Sequence, residues 1–232
     1  MPTAPALSKG RLASEAEPFL TSTVGKKLVM AVTGLILFGF VIVHMLGNLQ
    51  VYLGPEAINA YGLSLHTMLH GGGIWLFRAV LLVSVLLHIW AMTALTVANH
   101  RARNVGYRQW KARESTYASR TMRWSGVFLL AFIILHLLHF TTGDLHPDFI
   151  PGDVYHNVVS GFQVVPVAIL YILATLALAL HLFHGAWSML QTLGLNHPRY
   201  NRLRNSVCIG LSALVVIGNL SFPVAVLTGL LR

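Results

Sequence analysis

KLVMAVTGLILFGFVIVHMLGNLQVYL, residues 27–53, has no charged side chain after its first lysine and one histidine, His44, in its second half. A helix of about 20 apolar residues crosses a hydrocarbon core about 30 Å thick. A lone spanning segment must also pair its own backbone N–H and C=O groups, which makes it a helix. Residues 74–98, 122–140, 164–190 and 207–231 read the same way. The shortest of these, 122–140, is expected to extend a turn beyond its apolar run. Composition agrees: 10% of the 232 residues are charged and 55% hydrophobic, with a mean hydropathy of +0.67. Soluble domains carry roughly a quarter of their residues as charges, so this exterior must face lipid. The expected fold is all-α, an integral membrane bundle of five transmembrane helices, with an N-terminal segment (1–21) ahead of the membrane domain (22–232).

Other classes fall away on the same numbers. Charge excess, heptads and a Gly-X-Y period are absent, which excludes disorder, coiled coil and collagen. The one cysteine, Cys208, allows neither an internal disulfide nor a cysteine-ligated iron–sulfur cluster. Neither GxGxxG nor GxxxxGK[ST] occurs, so no nucleotide or flavin fold is evident.

The net charge of +9 does not point to nucleic acid, because of where it lies. Lys9, Arg11, Lys26 and Lys27 precede the first span. Arg101, Arg103, Arg108, Lys111, Arg113, Arg120 and Arg123 cluster around the second connection, and Arg199, Arg202 and Arg204 occupy the fourth. The first connection (54–73) and the third (141–163) hold no Lys or Arg, and the third carries Asp144, Asp148 and Asp153. Positive charge retained on the cytoplasmic side puts the N-terminus inside and the C-terminus outside. Residues 1–20 lack the apolar core of a cleavable signal. Ser22 or Thr23 is expected to cap the first helix, and Pro166 suits the first turn of the fourth span.

Six of the twelve histidines fall inside the spans: His44, His88, His136, His139, His181 and His184. Ionisable residues are rare in a membrane and face the bundle interior when they serve function. Uncharged there, an imidazole can ligate metal. At about 1.5 Å per residue, His136 and His44 lie roughly 10 and 15 Å from the outer boundary, and His88 and His184 roughly 20 and 27 Å. Depth therefore sorts them into an outer pair, His44 with His136, and an inner pair, His88 with His184. Two stacked b-type haems, each iron taking two axial imidazoles from facing helices, require such an arrangement. Gly39, Gly47, Ala131, Gly185 and Ala186 are placed to give flat porphyrins room. His139 and His181, three residues from a proposed ligand, are either ligands in their neighbours' place or donors to a propionate or quinone. Gly34-x9-His44 recurs as Gly126-x9-His136, giving the two outer histidines matching parts.

The run Gly25-Lys26-Lys27-Leu28-Val29-Met30-Ala31-Val32-Thr33-Gly34, followed by His44-Met45-Leu46-Gly47-Asn48-Leu49, resembles the first helix of the dihaem cytochrome b subunit of succinate:quinone oxidoreductases. The likeness is nearest to the single-subunit, five-helix b558 type of menaquinone-linked succinate dehydrogenases and fumarate reductases. His88 ahead of Tyr107-Arg108-Gln109-Trp110, and His184-Gly185 late in the fourth span, match further features. The resemblance implies His44 and His136 on the distal haem and His88 and His184 on the proximal one. It implies a flavoprotein and an iron–sulfur subunit on the cytoplasmic face, menaquinone or another quinone as substrate, and a multi-pass place in the bacterial cytoplasmic membrane. The chain is then the anchor and electron-transfer subunit of the enzyme, passing electrons between the iron–sulfur subunit and quinone through two b haems. It does not oxidise succinate alone, and the complex can assemble into a higher oligomer.

For the quinone, the expected site residues are His66, His70, Asn48, Tyr61 and Trp75. The acidic residue used by fumarate reductases of this type has no counterpart; the functional position falls nearer His66 than Glu56. Arg78 is expected to pair with a propionate or to snorkel. A dihaem anchor of a hydrogenase or formate dehydrogenase is one alternative. A histidine-lined metal transporter, built on His136/His139 and His181/His184, is another. Every Asp and Glu lies outside the spans, which weighs against a divalent-cation path.

Overall fold

A computed structural model describes residues 18–103 and 116–232, and all its regular elements are helical. Lys9 and Arg11, the segment before residue 18, and Tyr107-Arg108-Gln109-Trp110 with Lys111 and Arg113 lie outside the described residues. Five helices are long and apolar enough to cross a membrane. They are α1 (Thr23–Asn48), α3 (Gly72–Arg101), α4 (Tyr117–Phe140), α6 (Val165–Thr192) and α7 (Asn201–Leu227), and they coincide with the five expected spans.

Local chemistry sets their ends. Ser22 accepts from the Gly25 N–H at 3.0 Å, satisfying one orphan donor of α1. Thr116 caps α4 in the same way, at 3.2 Å from the Ser119 N–H, so this helix starts before the apolar run. Pro166 sits in the first turn of α6, where no N–H is needed.

Two shorter helices were not anticipated. α2 (Pro55–Thr67) and α5 (Val154–Gln163) occupy the first and third connections. They pack on one another, and α5 also leans on α6 and α7. Asn59 joins them: its Nδ2 donates to Asp153 Oδ1 at 3.0 Å, and its Oδ1 accepts from the Tyr155 N–H at 3.0 Å. Val51, Ile58, Val159, Phe162, Tyr171, Phe222 and Val226 fill the space beneath this cap.

In the membrane layer α1 packs against α3 and α6, and α6 against α4 and α7. Taken in the order α3–α1–α6–α4, four helices outline a square, closed on three sides. Its diagonals run from α1 to α4 and from α3 to α6. Phe38, Leu182, Ala186, Cys208 and Val215 form a second core away from the cap. Large apolar side chains such as Leu35, Leu82, Ile134, Leu173 and Ile217 point outward, as a hydrocarbon solvent demands.

Most of the described charge separates along the bundle axis, Arg78 and Arg232 being the cations at the cap end. Lys26, Lys27, Arg101, Arg103, Arg120, Arg123, Arg199, Arg202 and Arg204 lie at the end opposite the cap. Glu56, Asp144, Asp148 and Asp153, the described acids, lie at the cap end.

Candidate functional site

The diagonals of the square carry the histidines. His44 on α1 reaches towards His136 on α4, with ring centres 5.8 Å apart and planes nearly perpendicular. His88 on α3 reaches towards His181 on α6, at 6.4 Å. Neither pair joins helices that pack closely along their length, so the imidazoles themselves span the bundle interior.

The inner rings have matched seats. His88 Nδ1 lies 3.1 Å from Thr33 Oγ1, and Thr33 gives its own proton to the Val29 carbonyl at 2.7 Å. The hydroxyl must therefore accept, so His88 carries its proton on Nδ1 and keeps a lone pair on Nε2. His181 Nδ1 lies 3.3 Å from Ser125 Oγ, which donates to the Met122 carbonyl at 3.0 Å, and the same tautomer follows. Next to each hydroxyl is a glycine. A Cβ at Gly34 would stand 3.4 Å from His88 Cε1, and one at Gly126 3.7 Å from His181 Cε1. Any longer side chain would enter the ring's place. The Gly-x9-His repeat thus has a second meaning: Thr33-Gly34 and Ser125-Gly126 seat the inner rings, ten residues before the outer ones.

At the outer level His136 Nδ1 lies 3.3 Å from the Tyr171 hydroxyl, which is also 3.1 Å from His139 Nδ1. His44 Nε2 accepts from Asn48 Nδ2 at 3.2 Å. Phe40 stacks on His44, and Phe132 and Phe140 lie against His136.

The structure brings together His44 with His136, as expected, whereas the ring facing His88 is that of His181 rather than His184. Three residues on a helix separate directions by about 60°, enough to turn His184 off the diagonal. Among the described residues no ring contact joins His184 to His88. His139 is buried, 2% exposed, outside the diagonal pair.

Of the expected quinone residues, Asn48 touches His44. Tyr61 lies against α1 at Gly47, where a Cβ would come within 2.5 Å of its ring. Gly47 therefore makes room for Tyr61, and Ala186 is buried in the core, while Gly39 and Gly185 have open space beside them. His66 is exposed and bonds back to the Gly62 carbonyl. His70 is exposed, with φ 54° in a left-handed turn before α3. Trp75 points outward, and Arg78 stacks over its ring at 4.8 Å. These three stand apart from the histidine diagonals.

Two facing imidazoles, each offering one ring-nitrogen lone pair, can hold one metal between them; His88 and His181 carry that lone pair on Nε2, as does His44. Among the described residues no three His, Cys, Asp or Glu side chains converge as a closed metal cage would need.

Comparison with known proteins agrees with this architecture. No curated protein and no solved structure matches the chain. The profile of the succinate dehydrogenase/fumarate reductase transmembrane subunit matches residues 98–218, a stretch containing Ser125, Gly126, His136, Tyr171, His181 and His184. That stretch is more than half of the 232 residues, and the chain belongs to the succinate dehydrogenase/fumarate reductase transmembrane subunit family.

Proposed function

We propose that this membrane anchor is a dihaem cytochrome b of the succinate:menaquinone oxidoreductase type, with its N-terminus and basic end in the cytoplasm and its helical cap outside. The observation that carries the reading is the pair of diagonals. A metal–imidazole bond of about 2.0–2.1 Å, plus about 1.1 Å from nitrogen to ring centre, sets the two rings on one metal about 6 Å apart. The rings here stand at 5.8 and 6.4 Å. The fit also includes the glycine seats, which leave no Cβ beside the inner rings, and the Nδ1 bonds, which fix the ligating nitrogen.

His44 and His136 would hold the outer haem, and His88 and His181 the inner one. Asn48 would turn its amide away from His44 Nε2 as that nitrogen takes iron. When bound, the two haems supply one-electron carriers inside the membrane bundle. Thr33 and Ser125 orient the inner ligands, and the phenylalanines around the outer pair exclude water. The basic end offers Lys26, Lys27, Arg101, Arg103 and Arg123 to the flavoprotein and iron–sulfur subunits. Of the residues expected at a quinone site, Asn48 bonds His44 and Tyr61 packs on Gly47, one turn from His44, and these two are the ones assigned to it. Among the described residues, the pairing of histidines two by two rather than in groups of three favours this reading over a metal transporter.

The purified complex should give a pyridine haemochrome of two b haems per chain; one haem or none defeats the assignment. Replacing His181 by leucine should remove the haem that His88→Leu removes, with His184→Leu keeping both. The reverse result would return the inner ligand to His184.

A further inference from the structure

Tyr171 lies on α6, 7% exposed, with its hydroxyl between two imidazoles that belong to the same turn of α4. One is His136 Nδ1 at 3.3 Å and the other His139 Nδ1 at 3.1 Å. A phenol has one proton to give, so the two contacts cannot be alike. A histidine that offers Nε2 to a metal must carry its proton on Nδ1. His136 then donates to the phenol oxygen, and the phenol donates to His139 Nδ1. His139 is left with its proton on Nε2, the buried atom for which the structure gives no partner.

Among the described residues, the imidazole packed on His139 does not compete for that role. His146 stacks on His139, with ring centres 4.8 Å apart, but both its nitrogens are used. Its Nε2 donates to the Asn157 carbonyl at 2.8 Å, and its Nδ1 accepts from the Asp148 N–H at 3.1 Å. A Cβ at Gly161 would stand 2.9 Å from both rings, so the stack is tightly confined. His139 is thus fixed in place as an acceptor for the phenol. Phe132, Phe140 and Phe162 pack around the Tyr171 ring and keep its hydroxyl on this line.

We propose that Tyr171 is the positioning residue of the outer haem: its hydroxyl, backed by His139, selects the tautomer and ring orientation in which His136 presents Nε2 to iron. The inference rests on the dihaem assignment above. The inner ligands get the same service from Thr33 and Ser125, whose protons go to backbone carbonyls. The outer ligand gets it from a phenol whose proton goes to a third histidine. This gives His139 a role without making it a ligand.

The test is a redox titration of the assembled complex carrying Tyr171→Phe, followed by visible spectroscopy and by electron paramagnetic resonance of the ferric haems. Two haems per chain should remain. The haem that is lost in His136→Leu should titrate at a higher potential, because its ligand no longer shares its Nδ1 proton and becomes less basic. Its low-spin ferric signal should move, while the inner haem keeps its potential and its signal. If both haems keep both properties, the proposal is overturned and the dihaem assignment stands. If the unmodified complex lacks two haems, the assignment itself fails and the proposal with it. Should Tyr171→Phe not assemble, His139→Leu takes its place. It leaves the phenol on His136 but removes the acceptor behind it, so the same haem alone should shift; an unmoved outer haem, or a moved inner one, overturns the proposal.

Discussion

Thr33 and Ser125 sit on different helices, α1 and α4, yet under the proposed dihaem assignment they serve the same haem. Thr33→Val keeps the volume and removes the oxygen that accepts from His88 Nδ1 at 3.1 Å. Ser125→Ala does the same to His181 at 3.3 Å. Each leaves a buried N–H without a partner, at a cost of about 1–3 kcal/mol. Loss of the group that orients a metal-bound histidine typically weakens the site by about 10- to 100-fold, or about 1.4–2.8 kcal/mol. The two estimates agree, so each variant should release the inner haem about 10- to 100-fold more readily, and the double variant more readily still. Purified complexes would be mixed with a haem scavenger, and the haem remaining per chain read from the haemochrome. The outer haem provides the internal control, because His44 and His136 lie eleven residues further along α1 and α4. The reasoning fails if the two substitutions weaken different haems, since His88 and His181 would then not share one iron. It fails equally if neither changes retention.

Gly47→Ala should lift α2 from α1, because the new Cβ would meet the Tyr61 ring at 2.5 Å. Overpacking of this kind costs about 1–3 kcal/mol, and faster proteolysis of residues 54–73 with both haems retained would show it. Arg204 is 7% exposed, stacks on Trp187 at 3.6 Å, and donates to the Leu195 carbonyl and Asn196 Oδ1 at 3.1 and 3.0 Å. A lysine keeps the charge but loses the planar stack on Trp187, so Arg204→Lys should lower the complex's stability by about 1–2 kcal/mol; an unchanged Tm would contradict this. Asp153 caps α5 by accepting from the His156 N–H at 3.0 Å, and it also accepts from Asn59, which together hold its carboxyl below the usual carboxylate value. A lowered folded pKa means that this contribution is complete above the unfolded value near 3.8 and fades as pH falls through the folded one. Hydrogen exchange of α5, corrected for intrinsic rates, should accelerate on acidification in the native chain, and Asp153→Asn should abolish that dependence.

The five spans were legible because the membrane writes one requirement, about 20 apolar residues, into each of them. The cap helices were harder to see, since short interfacial helices are amphipathic and carry no such run. Their signals were nonetheless present: Pro55 and Glu56 open α2, and Asp153 caps α5. Depth along the chain pairs His44 with His136, and the structure puts their ring centres 5.8 Å apart. Depth did not separate His181 from His184, because both fall on one helix within a single turn. Only the crossing of α6 opposite α3 decides which of them faces His88. The hydroxyl–glycine seats were visible as a repeated spacing, but their meaning depends on the neighbouring helix, which a one-dimensional pattern does not contain. Tyr171 gave no signal at all, being one aromatic among many in an apolar span.

α1 and α4 each bear a resting place for one level and a side chain of the other, separated by ten residues or about 15 Å. They act as two equal rulers laid on opposite corners of the bundle. Sliding or rotating either one would disturb both depths together, so neither level can be adjusted by moving a helix. An insertion of one residue between Gly34 and His44 would swing His44 about 100° away from α4 while leaving His88 on its seat. Differences between the two levels therefore have to be written in the surrounding side chains, and the spacing between them is held by arithmetic along the backbone.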